Sequence, residues 1–410
     1  MQPSHNNLDQ ITEHLFRETY QEVFSSMVIK FGTKNIDLVE DALQETFFKA
    51  LKSWKHDNHP ANPKAWLFTV TKNNIINQLR RQAKSVSIPE NFESWLPSTE
   101  EIPQNSNDAQ LQLLLASAKL ELNQRAKLIF TLKSVCGFGV NEIANSLLLT
   151  EENVYKNVQR AKKKLRLLPK NYFQNLTNTD FSIEDISYIE LILYFMFNEG
   201  YDSVSNSSKN AINKEICFEA LRLAHLLKEV SDEESTSHLL ALFHFHMARF
   251  DSRMNSEGDF VSLRNQNREK WDRGSIKIGF DHLLKPKVLN RFYLEALISS
   301  LHLQASTFSQ TGWAEILKLY DMLLKVHDTA VVRLNRAICL FELGKTAEAL
   351  KELEDLKPVL EDSYLYYTMS MAEYLEDKDI ELSKFWYQKS LENTGQEFRK
   401  RIINGKLNNL

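Results

Sequence analysis

Apolar residues recur at helical spacing along almost the whole chain, and the pattern is sharpest between Gly139 and Leu168. Val140, Ile143, Ala144 and Leu147 fall at i, i+3, i+4 and i+7, which predicts a short helix with one buried stripe. Thr150 is placed to cap a second helix, with Leu149 just outside and Val154 inside as a hydrophobic staple. That helix carries its own stripe of Val154, Val158, Ala161 and Leu165. Its opposite face centres on Lys156, Gln159 and Lys163, flanked by Tyr155, Arg160, Lys162 and Arg166. Two helices joined by a tight turn, the second showing Lys, Arg and Gln outward, predict a helix-turn-helix whose second helix suits the major groove of DNA.

The same reading extends in both directions. A helix is expected from Leu8 to about Phe31, with Leu15, Phe16, Tyr20, Val23, Phe24 and Met27 on one side and Gly32 ending it. Asp37 is expected to cap the next helix, in which Leu38, Val39, Ala42, Leu43, Phe47, Ala50 and Leu51 form the core side and Asp41, Gln44, Glu45 and Lys49 stay outside. A third helix, 64–84, buries Trp66, Leu67, Val70, Ile75, Ile76 and Leu79. It also places Asn73 and Asn77 one turn apart, ahead of Arg80, Arg81 and Lys84. Asn lowers helix propensity without offering apolar burial, and amides pair with base edges as Arg and Lys do with phosphates, so this face reads as a contact surface.

Residues 85–108 break the periodicity. They hold three prolines and five acidic residues with no Lys or Arg, the composition of a linker; extended, it would span up to about 80 Å. Two helices are expected in 109–138, one on Leu111, Leu114, Leu115 and Ala118, the other on Leu128, Ile129, Leu132 and Val135. Farther on, Ile189 to Phe197 is apolar nearly all round, as in a helix inside a bundle. Ala337, Leu340, Leu343, Gly344 and Ala349 follow the small-and-large spacing of a tetratricopeptide repeat, with a looser copy around Ala372, Leu375, Phe385 and Tyr387. Such pairs cover their apolar faces by stacking.

Composition sharpens this to an all-α class. Only 11 Gly and 9 Pro in 410 residues argue against β-sandwiches and Gly-looped nucleotide folds. The net charge of -4 conceals a split: residues 1–175 hold 22 Lys/Arg against 18 Asp/Glu, the remainder 28 against 36. The front half suits a polyanion and the back half does not. Cys136, Cys217 and Cys339 are scattered in apolar contexts, so neither disulfides nor a zinc site is expected. His225, His238, His244 and His246 lie close in sequence, but residues two apart on a helix point to different faces, so no metal and no cofactor are expected. Glu199 and the pair Asp272/Arg273 tempt a catalytic reading that the sequence does not complete with a nucleophile, base and oxyanion donors. Asn198 to Gly200 are read instead as a helix end, Trp271 as the anchor of a corner, and the chain as no enzyme. With no run of about 18 apolar residues and no basic-then-apolar start, it is expected to be cytoplasmic and off the membrane.

The segments DLVEDALQETFFKALKSW (37–54), NPKAWLFTVTKNNIINQLRRQAK (62–84), the acidic linker, and LIFTLKSVCGFGVNEIANSLLLTEENVYKNVQRAKKKLR (128–166) stand in an order that resembles regions 2 and 4 of bacterial RNA polymerase sigma factors of the extracytoplasmic-function group. The back half resembles a subgroup with a tetratricopeptide-like C-terminal extension, through YFMFNEGYDS (194–203), LRNQNREKWDRGSI (263–276), GWAEILKLYDMLL (312–324) and VVRLNRAICLFELGKTAEAL (331–350). Where many relatives have a Cys-Cys-His-Pro run before region 4, this chain has ASAK at 116–119.

The resemblance implies region 2 at 8–84, a linker at 85–108, region 4 at 109–170 and the extension at 178–410. It implies promoter-directed transcription initiation with two partners, polymerase core and promoter DNA. Tyr155, Lys156, Gln159 and Arg160 would face bases of the minus-35 element, with Lys162, Lys163 and Arg166 on phosphates. Asn73 and Asn77 would act at the minus-10 element with Arg80 and Arg81 on the backbone, and Asp41, Gln44 and Glu45 would meet the polymerase core. The linker would lie in the basic RNA exit path of the polymerase, its acids standing in for a transcript. The acidic balance of the extension adds the expectation that it docks on the front half or on polymerase and so regulates these contacts. The rival reading, a conventional helix-turn-helix regulator that uses its back half for dimerisation or partner binding, leaves the Asn73/Arg80 helix and the linker unexplained.

Overall fold

The computed structural model describes residues 19–54, 60–84, 106–147, 149–169, 172, 181–202, 212–255, 259–360 and 364–410. Among these, regular structure is helical apart from one antiparallel bridge between Met254 and Phe260. Most of the expected linker, and Leu15 and Phe16 of the first helix, lie outside the described residues. The chain divides into two compact units, 1–192 and 193–410.

In the first unit, α1 (19–31) ends at Gly32, whose φ of 83° is a left-handed conformation that glycine adopts without strain. Helices α2 (Ile36–Ser53) and α3 (Pro63–Lys84) pack together. Their core takes Val23, Phe24 and Val28 from α1, Val39, Ala42 and Leu43 from α2, and Leu67 and Ile75 from α3, all fully buried. Two expectations for α2 fail. Leu51 is 53% exposed rather than on the core side, and Asp37 does not cap the helix, because the helix starts at Ile36 with Asn35 at the cap position and the Asp37 carboxylate turns to Lys162 and Arg166.

Helix α4 (Ser106–Ala118) begins inside the stretch expected to be linker. Helix α5 (Gln124–Phe130), capped by Asn123, continues as a π turn over Thr131–Val135, so the expected single helix widens by one residue there. Then come α6 (Val140–Ser146) and α7 (Glu151–Leu165). Gln21 ties α1 to this second half: its amide accepts from Gln110 at 2.9 Å and donates to the Cys136 carbonyl, and all three residues are buried. Helix α8 (Ile183–Tyr201) begins in this unit, with Lys119 2.7 Å from Asp185 and the Tyr188 and Thr131 hydroxyls 2.9 Å apart.

The second unit contains the rest of α8, then α9 (Lys214–Val230), α10 (Glu234–Met247), α11 (Arg273–His282) and α12 (Arg291–Gln304). Asn198 to Gly200 form the last turn of α8, which ends at Tyr201. Gly200 also serves close approach: a Cβ there would lie 2.8 Å from the Asn213 carbonyl oxygen and 2.8 Å from Cys217 Sγ. Trp271, 2% exposed, donates its indole N–H to Ser252 Oγ at 2.8 Å, and Asp272 caps α11.

The last six helices are α13 (Trp313–Val326), α14 (Ala330–Glu342), α15 (Thr346–Leu360), α16 (Leu365–Leu375), α17 (Ile380–Glu392) and α18 (Glu397–Asn408). They pack as successive neighbours. Gly344, at φ 73°, turns α14 into α15, and Ala337, Leu340 and Ala349 are buried as the repeat spacing requires. In the looser copy Ala372 and Tyr387 are fully buried, while Phe385 is 50% exposed because it falls on the outer side of α17.

Candidate nucleic-acid interface

The geometry of α7 follows from its cap and its stripe. Thr150 Oγ1 accepts from the Asn153 amide, and Val154, Val158, Ala161 and Leu165 are buried against α5 and α6. This leaves Tyr155, Lys156, Gln159, Arg160 and Lys163 exposed. Lys156 pairs with Glu152 one turn back at 2.6 Å, a contact worth little at such exposure. Lys162 and Arg166 are placed differently. Lys162 is only 5% exposed and its ammonium meets the Glu40 carboxylate, with Asp37 at 3.5 Å; Arg166 also bonds Asp37.

On α3, Asn73, Asn77, Arg80 and Arg81 are all exposed, and they recur at intervals of three, four and seven residues, so they share one side. On α2, Asp41, Gln44 and Glu45 are exposed as well. Phe48, 57% exposed, and Leu51 prolong that polar stripe with apolar surface. Phe48 was not singled out from sequence, although its spacing from Asp41, Gln44 and Glu45 places it on their face.

Among the described residues no group of three or more His, Cys, Asp or Glu is arranged to hold a metal ion, and no helix is long and apolar enough to cross a membrane.

The family profile described as Sigma-70 region 2 matches residues 15–85, which span α1–α3, and the profile Sigma-70, region 4 matches 112–165, which reach from α4 to the end of α7. A third profile, a family of unknown function (DUF6596), matches 186–286. An uncharacterized protein of Rhizobium meliloti is 30% identical over 347 residues, 82% of this chain and 80% of that protein. The ECF RNA polymerase sigma factor SigL of Mycobacterium tuberculosis is 30% identical over 132 residues, 31% of this chain and 72% of its own length. For the ECF RNA polymerase sigma factor SigM of Bacillus subtilis the figures are 25% over 164 residues, 39% and 94%. The chain is an extracytoplasmic-function sigma factor with a C-terminal extension. No solved structure matches it.

In the sigma factor, the exposed Asn/Arg face of α3 thus belongs to region 2 and the Tyr/Gln/Arg face of α7 to region 4. The Lys162–Glu40 and Arg166–Asp37 contacts join the two regions, and so does the buried Gln21 relay.

Proposed function

We infer that the sigma factor directs polymerase core to its promoters with the residues that its fold leaves exposed. Tyr155, Lys156, Gln159 and Arg160 read minus-35 bases, Lys163 holds phosphate, and Asn73 and Asn77 act at the minus-10 element with Arg80 and Arg81 on the backbone. Asp41, Gln44 and Glu45 meet the core enzyme, joined by Phe48 and Leu51. The observation that carries this reading is that both region profiles fall on helices whose Asn, Arg, Lys and Gln side chains are solvent-facing while the apolar stripes beneath them are buried.

Lys162 and Arg166 take phosphates only once they leave Asp37 and Glu40, so the arrangement described is a resting one. The factor makes and breaks no bond and works where polymerase works, in the cytoplasm. The C-terminal extension, with its acidic balance, acts through protein rather than through phosphate, and we read it as controlling promoter engagement. A shortened chain that tests this must keep the first turns of α8, since Asp185 and Tyr188 bond to region 4.

Transcription reconstituted from the full-length protein and purified core polymerase is the test. Initiation at a defined promoter, lost when Asn73 and Asn77 are replaced by Ala, is expected. Operator binding without initiation would return the chain to the class of conventional regulators.

A further inference from the structure

Three motifs of the second unit play no part in the sigma contacts, and they converge on one cationic cluster. His246 lies on α10, Arg249 and Arg253 just beyond its C-terminus, Arg268 in the one-turn helix Arg268–Lys270, and His302 on α12. These groups act on one another: Arg249 feels the charges of Arg253 and Arg268, His246 those of Arg249 and Arg253, and His302 those of Arg249 and Arg268.

The protein's own groups leave Arg249 and Arg268 without a carboxylate, while Arg253 has only a shared one. Arg249 Nε donates to a neutral acceptor, Gln266 Oε1, at 3.1 Å. Arg268 Nη1 donates to two backbone carbonyls, His302 at 2.6 Å and Ala305 at 2.8 Å. Arg253 is 4% exposed, stacks 3.6 Å over the Tyr201 ring and reaches Asp202 at 3.9 Å, but Asp202 already accepts from Arg399 at 2.6 Å and from the Tyr366 hydroxyl. Arg253 Nε, Arg268 Nη2, His246 Nδ1 and His302 Nδ1 are buried atoms with no hydrogen-bond partner. Buried guanidinium groups without carboxylates are costly, and planar N–H forks suit a tetrahedral oxyanion. Arg249, Arg268, His246 and His302 each keep part of their surface exposed, although the unpartnered atoms themselves are buried.

The cluster is held in place by uncharged groups. Gln266, 6% exposed, accepts from Arg249 and from Ser252 at 3.3 Å, and Ser252 in turn accepts from Trp271 at 2.8 Å. All but His302 fall within the span of the family of unknown function.

We propose that Arg249, Arg253 and Arg268, with His246 and His302, form a binding site for a small phosphate-bearing anion in the C-terminal extension. The ligand is either inorganic phosphate or the phosphate group of a small phosphomonoester.

The test uses the full-length protein at pH 7.5. Inorganic phosphate and glycerol phosphate are titrated separately by calorimetry and by thermal melting, with sodium chloride at matched ionic strength as control. Saturable binding of at least one, with a rise in Tm that chloride does not reproduce, is expected. The tighter of the two identifies the source. Arg249→Gln and Arg268→Gln should each weaken binding at least tenfold, while Lys270→Gln, on the exposed side of the same turn, should not. Should Arg249→Gln fail to fold, Arg268→Gln decides alone. Equal shifts with phosphate and chloride, or titrations unchanged in Arg268→Gln, overturn the assignment.

Discussion

Lys162 and Glu40 stand 122 residues apart in sequence and meet as an ion pair, with the lysine 95% withdrawn from solvent although it lies on the cationic helix of region 4. Asp37 stands 3.5 Å from the same ammonium and also holds Arg166. Removing the acids leaves a buried cation unpaired, a loss of about 3 to 5 kcal/mol where no relief is available. Here relief is available, because Lys162 is hydrated once region 4 moves off region 2. Asp37→Asn combined with Glu40→Gln should therefore separate the regions and raise the affinity of the free factor for a promoter fragment. Fluorescence transfer between dyes on α3 and α7, read beside DNA titrations, checks both effects; unchanged transfer would refute the account.

Arg160 and Lys163 are both exposed on α7 but differ in expected role. Arg160→Ala should cost about 1 to 3 kcal/mol on the cognate minus-35 element and relax preference at one base. Lys163→Ala should weaken all sequences alike and lower the salt slope by about one. A titration series over point-mutated promoters separates the two, and parallel, sequence-blind losses would remove Arg160 from base reading.

Phe48 and Leu51 expose more than half their surface beside Asp41, Gln44 and Glu45. Phe48→Ala with Leu51→Ala should shift stability by no more than about 0.5 kcal/mol for each residue. Binding to polymerase core should nonetheless fall severalfold, as measured by pull-down beside thermal melts. Retained core binding would mark the pair as incidental surface.

The second unit should lose stability in acid. Burial, then the nearby His225 and His282, pulls His244 down to about 4, and neither of its ring nitrogens has a hydrogen-bond partner. Burial, then Arg249, pulls His246 and His302 to about 3. Unfolded histidines titrate near about 6.5, so below that pH the unfolded chain takes up protons that the folded one refuses. Stability is full above about 6.5 and falls as the pH drops toward about 4. Thermal melts from pH 7.5 to 5 should show the decline, and His244→Gln should flatten it.

Gly200→Ala should destabilise the second unit by about 1 to 3 kcal/mol, since the added methyl meets a backbone carbonyl as well as Cys217. Urea unfolding reads the loss directly. Gly405→Ala, where nothing lies within 4 Å of the added carbon, serves as the control.

Much of this was legible in the sequence because short-range spacing carries it. The Thr150 cap, the stripe from Val154 to Leu165 and the Gly32 stop each depend on residues within two turns. The misplacements share a cause. Leu51 lies on the edge of the α2 stripe and Phe385 on the outer side of α17, and an apolar side chain in either place looks like core when read alone. Lys162 follows Ala161 on the shoulder of the buried stripe, and nothing local says that an acid from α2 lies against that shoulder. The cationic cluster was likewise invisible, since its groups come from three separate segments and none of them alone carries a recognisable pattern.

The Gln21 relay decides how the two sigma regions part. Salt screens the exposed Arg166–Asp37 pair readily, but the relay has buried amides at both ends, and each buried group left unsatisfied costs about 1 to 3 kcal/mol. Separation is therefore expected to be all or none, a choice between two populations with little between them. The apparent affinity of the free factor for its promoter is its intrinsic affinity scaled by the fraction of molecules already open. Whatever stabilises the open form, polymerase core included, tightens promoter binding without touching a base.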